Sequence, residues 1–291
     1  MKIAMHLGVH LTDDKKARTC LRANKPMLEA AGILVPRASS YLNLMRGAAG
    51  QVVTGAEIPD FDEKLRASVE ATDSTQRLVL SAPGLLAKQH EAVEGNMFYP
   101  GARARISAFR KLLQDHEVEI FMAIRNPASF VPALLQDMKE GERAELMQGL
   151  KGAELRWSHL IAEMRETWPE APITLWCDED TPFIWHRLLR LISGYEPETE
   201  FENSFDWFET AMIDGGAQKL AAYLDAMPPV DEAHRQQVIS AFLEKFCDPD
   251  KLEIDFSLTG WDETQIDVIS QLYEDDIELI RTMEGVRLLQ P

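Results

Sequence analysis

The sequence predicts an α/β protein in which a parallel sheet is flanked by helices. Four short apolar runs, at residues 2–9, 77–81, 118–124 and 173–177, are read as buried strands, because their apolar positions are almost continuous and turn residues follow them. Helical patterns of about ten residues or more separate these runs, which is typical of parallel strands joined by right-handed crossovers.

The last third of the chain has a different pattern. From residue 207 onward it is almost wholly helical, with long apolar periodicities at 232–246 and 262–283. A length of 291 residues lies within the range of one α/β domain. We therefore expect a single domain over 1–291, in which 207–291 form a helical cover.

Composition limits the possible partners. A formal net charge of −18 repels phosphate backbones and anionic lipid head groups, which argues against a nucleic-acid or membrane-surface role. No segment approaches the roughly 18 consecutive apolar residues of a membrane span, so we do not expect an integral membrane protein. The N-terminus lacks the pattern of a secretory signal, and Cys20, Cys177 and Cys247 fit neither a disulfide framework nor a zinc site. These features predict a cytoplasmic protein with reduced, mostly buried thiols.

The first strand leads into a turn and then a helix. The turn begins with Gly8 and His10, and Thr12 is the expected N-cap of a helix that continues to Gly32. Basic residues follow closely at Lys15, Lys16, Arg18 and Arg22. They form either a local basic surface or an ordinary solvated helix face.

This opening, with Leu21, Asn24, Leu28, Gly32, Ile33 and Pro36 at fixed distances after it, resembles bacterial sulfotransferase-like proteins of the P-loop superfamily. In that family the turn reads His-Lys-Thr-Gly-Thr-Thr-Ser. Its backbone amides and lysine hold the 5′-phosphosulfate end of 3′-phosphoadenosine 5′-phosphosulfate at a helix N-terminus. The resemblance implies a P-loop sulfotransferase-like fold, with this cofactor bound near Gly8, Thr12 and Arg18.

The turn departs from the family pattern in its chemistry. Leu11 stands at the position of the lysine, Asp13 at that of the glycine, and Asp14 and Lys15 at those of hydroxyl residues. Two carboxylates at the helix start would repel a bound phosphate, and at about 4 Å this costs several kcal/mol in a partly buried site. In a working enzyme Lys15 or Lys16 would have to replace the missing lysine.

A second family element follows the third predicted strand. Arg125, Asn126 and Pro127 resemble the family's Arg-Asp-Pro, whose arginine, with a serine eight residues on, holds the 3′-phosphate. Ala133 occupies the position of that serine, and Ser129, one helical turn earlier, is its possible substitute. The residues alone leave a second interpretation open, in which Arg125 pairs with a nearby carboxylate.

Other polar residues permit more than one interpretation. His6 is expected to pack in the core, whereas His10 lies at the end of the strand, where it could act as a base or a substrate ligand. Asp13 and Asp14 suit the positive end of a helix or could bind Mg²⁺. The acidic residues 178–180 are expected to cap and turn the chain, and no metal site is predicted there.

Three functions remain open from the sequence. The first is a divergent sulfotransferase that transfers a sulfuryl group from 3′-phosphoadenosine 5′-phosphosulfate to a hydroxyl of a glycan or a lipid-linked acceptor, with Lys15 or Lys16 neutralising charge and His10 as the base. The second is a catalytically inactive sulfotransferase-like module that has lost the cofactor site and recognises a glycan or a protein. The third is a Mg²⁺-dependent nucleotide or phosphate enzyme that uses Asp13 or Asp14.

Overall fold

A computed structural model describes residues 1–12, 15–196, 200–253 and 255–291. Its strands are β1 (Lys2–Gly8), β2 (Ile33–Leu34), β3 (Arg77–Ser81), β4 (Val93–Glu94), β5 (Met97–Phe98), β6 (Glu117–Ile124), β7 (Ile173–Cys177) and β8 (Val286–Leu289). Six of them form one parallel sheet in the order β2-β3-β1-β6-β7-β8, and β4 and β5 form a small antiparallel pair. The predicted α/β class, with a parallel sheet, is confirmed.

The helices cover both faces of this sheet. They are α1 (Lys16–Ala23), α2 (Lys25–Ala30), α3 (Ala38–Val53), α4 (Phe61–Val69), α5 (Ala102–Leu112), α6 (Pro127–Gln136), α7 (Glu140–Met147), α8 (Trp157–Thr167), α9 (Thr181–Ser193), α10 (Gly216–Ala226), α11 (Glu232–Phe246), α12 (Pro249–Leu252) and α13 (Glu263–Arg281). Helices α3, α4, α5, α6, α8 and α13 bury their apolar faces on one side of the sheet, and α1, α2, α9, α10 and α11 do so on the other.

The sheet is buried on both faces because its strands are apolar at successive positions. In β1, Ile3 and Met5 point into one core and Ala4 points into the other, and all three are fully buried. β1 lies at the centre, where Lys2 pairs with Arg77 of β3 and with Glu117 of β6. The carboxyl ends of β3, β1, β6 and β7 therefore meet along one edge of the sheet, which we call the carboxyl edge.

The first predicted helix is two helices, and Thr12 is not its N-cap. The Thr12 hydroxyl donates to the carbonyl of Val9 at 2.8 Å, and α1 begins at Lys16 after Lys15 in a left-handed conformation. The break after α1 falls at Asn24, whose side-chain amide donates to the carbonyls of Cys20 and Glu202. The hydrogen bond from Asn24 to Glu202, which is distant in sequence, thus fixes the break between α1 and α2.

The start of α8 depends on a side chain from a distant part of the sequence. α8 starts at Trp157, because a carboxylate oxygen of the buried Asp276 accepts the backbone N–H groups of Trp157 and Ser158 at 2.7 and 3.1 Å. Such a carboxylate satisfies two of the four N–H groups that a helix start leaves without partners. Because Asp276 lies far from Trp157 in sequence, no local sequence pattern predicts this cap.

The C-terminal region is helical, as predicted, except at its end. There, β8 pairs with β7, with Val286 opposite Ile173, so the region adds an edge strand to the sheet. The expectation of an almost wholly helical C-terminal region is confirmed, and β8 is a short strand that the pattern did not predict. The cysteines are free thiols, with Cys20 and Cys177 buried and Cys247 half-buried. In the described ranges, no helix combines the length and apolar character needed to cross a membrane.

Candidate functional site

The turn after β1 has a tight backbone that only certain residues accommodate. Gly8 has a φ of +79°, and a Cβ there would lie 2.9 Å from Cγ of Pro83, so the position requires glycine. Leu11 and Lys15 also have left-handed φ values, of 61° and 72°. Asp13 and Asp14 lie outside the described residues, so their interpretation as Mg²⁺ ligands or as helix-end charges stays a prediction.

Arg125 joins this turn to the end of β6. Its Nη1 donates to the carbonyl of Leu11 at 2.6 Å, and its Nε donates to Oγ of Ser129 at 3.0 Å. The Ser129 hydroxyl in turn donates to the Asn126 carbonyl. The structure therefore brings together Arg125 and Ser129, which the sequence predicted as one anion site. Both acceptors of Arg125 are uncharged oxygens, so its positive charge is not neutralised by them.

Arg18 makes an equivalent contact with the end of β3. Its Nη1 donates to the carbonyl of Ser81 at 2.6 Å. Lys16 is half-buried and Lys15 is exposed at the start of the same helix. Gly8, Thr12, Arg18, Lys15 and Lys16 therefore all lie at or beside the turn, as the resemblance implied.

His10 is held in place by a tyrosine that the sequence did not single out. The Tyr99 hydroxyl lies 2.9 Å from Nδ1 of His10 and accepts the His10 backbone N–H at 3.2 Å. Tyr99 is almost fully buried and its hydroxyl has one proton, so all three groups are satisfied when that proton is donated to Nδ1. In this arrangement Nε2 of His10 carries the ring proton and is a hydrogen-bond donor.

His10 is also neutral at physiological pH. The pKa of His10 is lowered to about 4, mainly by burial and also by the charge of Arg46, with Glu91 opposing both effects. A neutral imidazole with its proton on Nε2 stabilises negative charge by donation. It accepts a proton at Nε2 only after a change of tautomer, so this geometry favours a donor over the base expected from the sequence.

Two further arginines, one on α3 and one on α5, lie close to the turn. Arg46 is on α3 and Arg105 is on α5, and Nη1 of Arg105 donates to the Arg46 carbonyl at 3.4 Å. Partial burial lowers the pKa of Arg105, the charge of Arg46 lowers it further, and Glu91 opposes both effects. The two cations are thus close enough to repel each other. Nothing in the sequence marks them, since each occupies an ordinary polar position on an amphipathic helix.

Further arginines of the carboxyl edge lie beside β2. Arg22 donates from Nη1 to the carbonyl of Val35 at 2.9 Å. Partial burial lowers the pKa of Arg22, the charges of Arg37 and Arg18 lower it further, and Glu29 opposes them. Basic side chains therefore line the carboxyl edge from β2 to β6. We call this set the arginine edge: Arg18, Arg22, Arg37, Arg46, Arg105 and Arg125.

The arginine edge is unusual because few carboxylates lie near its charges: in the described ranges Glu91 acts on Arg105 and Glu29 acts on Arg22, and neither forms an ion pair there. Across the ranges that the structure describes, none of these six side chains lies within ion-pair distance of a carboxylate, whereas Arg66, Arg77 and Arg110 elsewhere do. The chain as a whole carries a net charge of −18. Among the described residues, the carboxyl ends of the parallel strands therefore gather arginines that have no carboxylate within ion-pair distance, at the end of the sheet where α/β proteins bind their ligands.

The acidic residues after β7 serve the fold, as expected. One oxygen of Glu179 accepts the backbone N–H of Asn126 at 2.8 Å, and the other accepts the Tyr273 hydroxyl at 3.1 Å. Residues Asp178–Asp180 form one short helical turn before α9. His6 is likewise a core residue, with Nδ1 2.9 Å from the Ser81 hydroxyl.

Comparisons with protein-family models, with curated proteins and with solved structures find no match to this chain. The functional argument therefore depends on the geometry and charge of the carboxyl edge, together with the residues of the turn that precedes α1.

Proposed function

We propose that this chain is a divergent sulfotransferase-like protein that binds 3′-phosphoadenosine 5′-phosphosulfate at the arginine edge and transfers its sulfuryl group to a hydroxyl of a glycan or lipid-linked acceptor. The observation that carries the proposal is the arginine edge itself, whose cations lack described carboxylate partners in a strongly acidic protein. A central β1 followed by a turn and a helix, with β3 and β6 on either side, supports a P-loop frame.

The energetic argument is that the arginine edge costs stability unless an anion binds. Half-buried guanidinium groups lose hydration, and the repulsion between Arg46 and Arg105 adds to that cost. A ligand with two or more negative charges offsets both terms. The amino end of α1 also favours an anion, because its N–H groups and dipole point toward the turn.

The residues around the turn have distinct roles in this proposal. Arg18 and Lys16 neutralise the phosphosulfate, and the remaining N–H groups of Arg125, beside Ser129, are available to a second phosphate. His10 donates from Nε2 to an oxygen on which negative charge develops. Lys15 is exposed and lies where it can approach the bound anion from solvent.

The reaction is a displacement at sulfur. The acceptor hydroxyl oxygen forms a bond to sulfur while the bond from sulfur to the 5′-phosphate oxygen breaks, and the nucleotide leaves as adenosine 3′,5′-bisphosphate. The hydroxyl proton passes to solvent or to a base supplied with the acceptor. The protein contributes mainly by positioning and by neutralising charge on the moving group and the leaving phosphate.

A second candidate, a binding module without turnover, is favoured by a different observation. Leu11 occupies the position of the family's lysine, and Arg125 already donates one of its N–H groups to the Leu11 carbonyl. Such a site has fewer donors for the moving group than the family's turn provides. The module would bind an anionic glycan or nucleotide at the same arginine edge and leave it unchanged.

The test is calorimetric titration of adenosine 3′,5′-bisphosphate into the wild type, Arg125→Gln and the control Arg110→Gln, with and without Mg²⁺. Arg110 is exposed and pairs with Glu170, so its substitution changes net charge equally without touching the turn. The proposal predicts micromolar binding that weakens by about tenfold or more in Arg125→Gln alone. Absence of binding at millimolar nucleotide would refute it.

Turnover and metal dependence separate the three functions. Appearance of a sulfated product from a glycan or lipid-linked hydroxyl supports the transferase, and nucleotide binding without any product over a panel of such acceptors favours the binding module. Binding that appears only with added Mg²⁺ would favour the metal-dependent alternative that uses Asp13 or Asp14.

A further inference from the structure

A second concave surface lies at the opposite end of the strands. A groove of about 730 Å³ opens between the sheet and the C-terminal half of α9, beside the first residues of β3, β6, β7 and β8. We call it the amino-edge groove. Neighbouring residues of β6 are about 3.3 Å apart, so its first and last residues, Glu117 and Ile124, are roughly 23 Å apart, and the groove lies toward the amino end. Its volume is within the range of small-molecule sites, about 300 to 1,000 Å³.

The walls of this groove carry four arginines, namely Arg77, Arg187, Arg190 and Arg287, and two glutamates, Glu119 and Glu196. Pairing places Arg287 of β8 directly beside Thr174 of β7 and Thr174 beside Phe121 of β6. Because Phe121 packs in the core on the α9 side, the same face of the sheet presents Thr174 and Arg287 to the groove. This end of the protein therefore also concentrates positive charge.

One of the four arginines has a structural role. Arg77 donates to a carboxylate oxygen of Glu119 at 2.7 Å and to the carbonyls of Leu191 and Ile192 at the end of α9. It closes the C-terminal end of that helix, and Gly194 leaves room for its side chain. Its charge is therefore neutralised, and it is not part of the candidate site.

The other three arginines of the groove have fewer protein partners than Arg77. Arg187 donates from Nη2 to the carbonyl of Gln290, but its Nε is buried and has no hydrogen-bond partner among the described groups. Among the residues that the structure describes, neither Arg190 nor Arg287 lies within ion-pair distance of a carboxylate, although the charge of Arg190 helps to lower the pKa of Glu200. A buried donor without an acceptor costs free energy, which a ligand oxygen would recover.

We propose that the amino-edge groove binds a small organic anion, with its phosphate or carboxylate group held by Arg187, Arg190 and Arg287. The half-buried Tyr195, Leu191 and Val286 line the same groove and suit a flat apolar body attached to the anionic group. The inference is independent of the proposed function, because the two sites lie at opposite ends of the sheet and share no residue.

Phenyl phosphate and benzoate are suitable probes, with benzyl alcohol as the uncharged control. All titrations are done with protein that carries Arg46→Gln, so that anion binding at the arginine edge contributes less to the measured heat of binding. Arg287→Gln is added to this background as the test, because Arg287 is exposed on an edge strand. Arg281→Gln is the matched control, since Arg281 is exposed on α13 and pairs with Glu278. Arg190→Gln is a second test variant if Arg287→Gln fails to fold.

The proposal predicts saturable binding of at least one anion, weakened by about tenfold in the Arg287 or Arg190 variant and unchanged in the Arg281 variant. Preference for phenyl phosphate or for benzoate identifies the anionic group. Equal binding of benzyl alcohol, equal affinity in the Arg287 and Arg281 variants, or no saturation by either anion at about 10 mM would overturn it. Nucleotide binding reports on the carboxyl edge where Arg125→Gln weakens it and Arg287→Gln does not, so failure of one proposal does not imply failure of the other.

Discussion

Removal of the titrating group at His10 is expected to make the protein more resistant to mild acid. Burial, together with the charge of Arg46, lowers the pKa of His10 from 6.5 to about 4 in the folded protein. In the unfolded chain the pKa returns to about 6.5, so the unfolded state binds the proton first as the pH falls. The contribution to stability is therefore complete above pH 6.5 and is lost progressively down to pH 4.

The magnitude follows from these two pKa values. Linkage gives a loss of about 2 kcal/mol between pH 7.5 and 5, and about 3 kcal/mol by pH 4, with only about 0.4 kcal/mol more below that pH. His186 acts in the same direction, because burial lowers its pKa to about 4, with Glu200 opposing and Arg235 and Arg190 adding to the effect. The two histidines together account for about 4 kcal/mol by pH 5.

The assay is urea unfolding, followed by tryptophan fluorescence, at pH 7.5 and 5.0. His10→Asn keeps an oxygen near the position of Nδ1, where it can accept the Tyr99 proton, but it does not titrate. The variant should lose about 2 kcal/mol less than the wild type over this range. His159→Asn, at an exposed position on α8, is the control and should follow the wild type. Identical pH dependence of His10→Asn and the wild type would refute the assignment of a neutral, Tyr99-bound His10.

Further predictions concern the turn and the arginine edge. Arg125→Ala removes two hydrogen bonds and should lower the free energy of unfolding by about 2 to 3 kcal/mol in urea titrations; an unchanged midpoint would contradict the role of Arg125 in holding the turn. Gly8→Ala should cost about 2 kcal/mol or more in the same assay, because of its positive φ and the close approach of Pro83. Tyr99→Phe leaves two groups of His10 without a partner and should cost about 1 to 3 kcal/mol, whereas full stability would show that the hydroxyl is not their partner. Arg46→Gln should raise the free energy of unfolding of the ligand-free protein by up to about 1 kcal/mol, because it removes a repulsive charge. The melting temperature should rise accordingly, and a large decrease would contradict that reasoning.

The fold was predictable where the pattern is local. Strands β3 and β7 begin and end where the continuous apolar runs do, because a parallel strand buried on both faces needs no alternation. Helix starts were less predictable, because distant groups decide them. Asp276 sets the start of α8 from more than a hundred residues away, and Asn24 ends α1 by binding the backbone of Glu202.

The candidate site was predictable only in part, for a related physical reason. Arg125 and Ser129 follow a strand, so their place at the carboxyl edge could be inferred from topology and the family resemblance. Arg46, Arg105 and Tyr99 come from helices and a loop whose sequences show ordinary amphipathic patterns. Only the packing of α3 and α5 against each other brings the two arginines together at the turn.

The central claim is that the arginine edge is an anion site, and its most direct test is nucleotide titration of a variant that removes the repelling pair. Adenosine 3′,5′-bisphosphate is titrated into the wild type and into Arg46→Gln/Arg105→Gln, with Arg103→Gln/Arg110→Gln as a control of equal charge on the exposed face of α5. We expect micromolar affinity in the wild type and the control, and a loss of at least about tenfold in the Arg46/Arg105 variant. Equal affinity in all three proteins, or no binding to the wild type at millimolar nucleotide, would contradict the account.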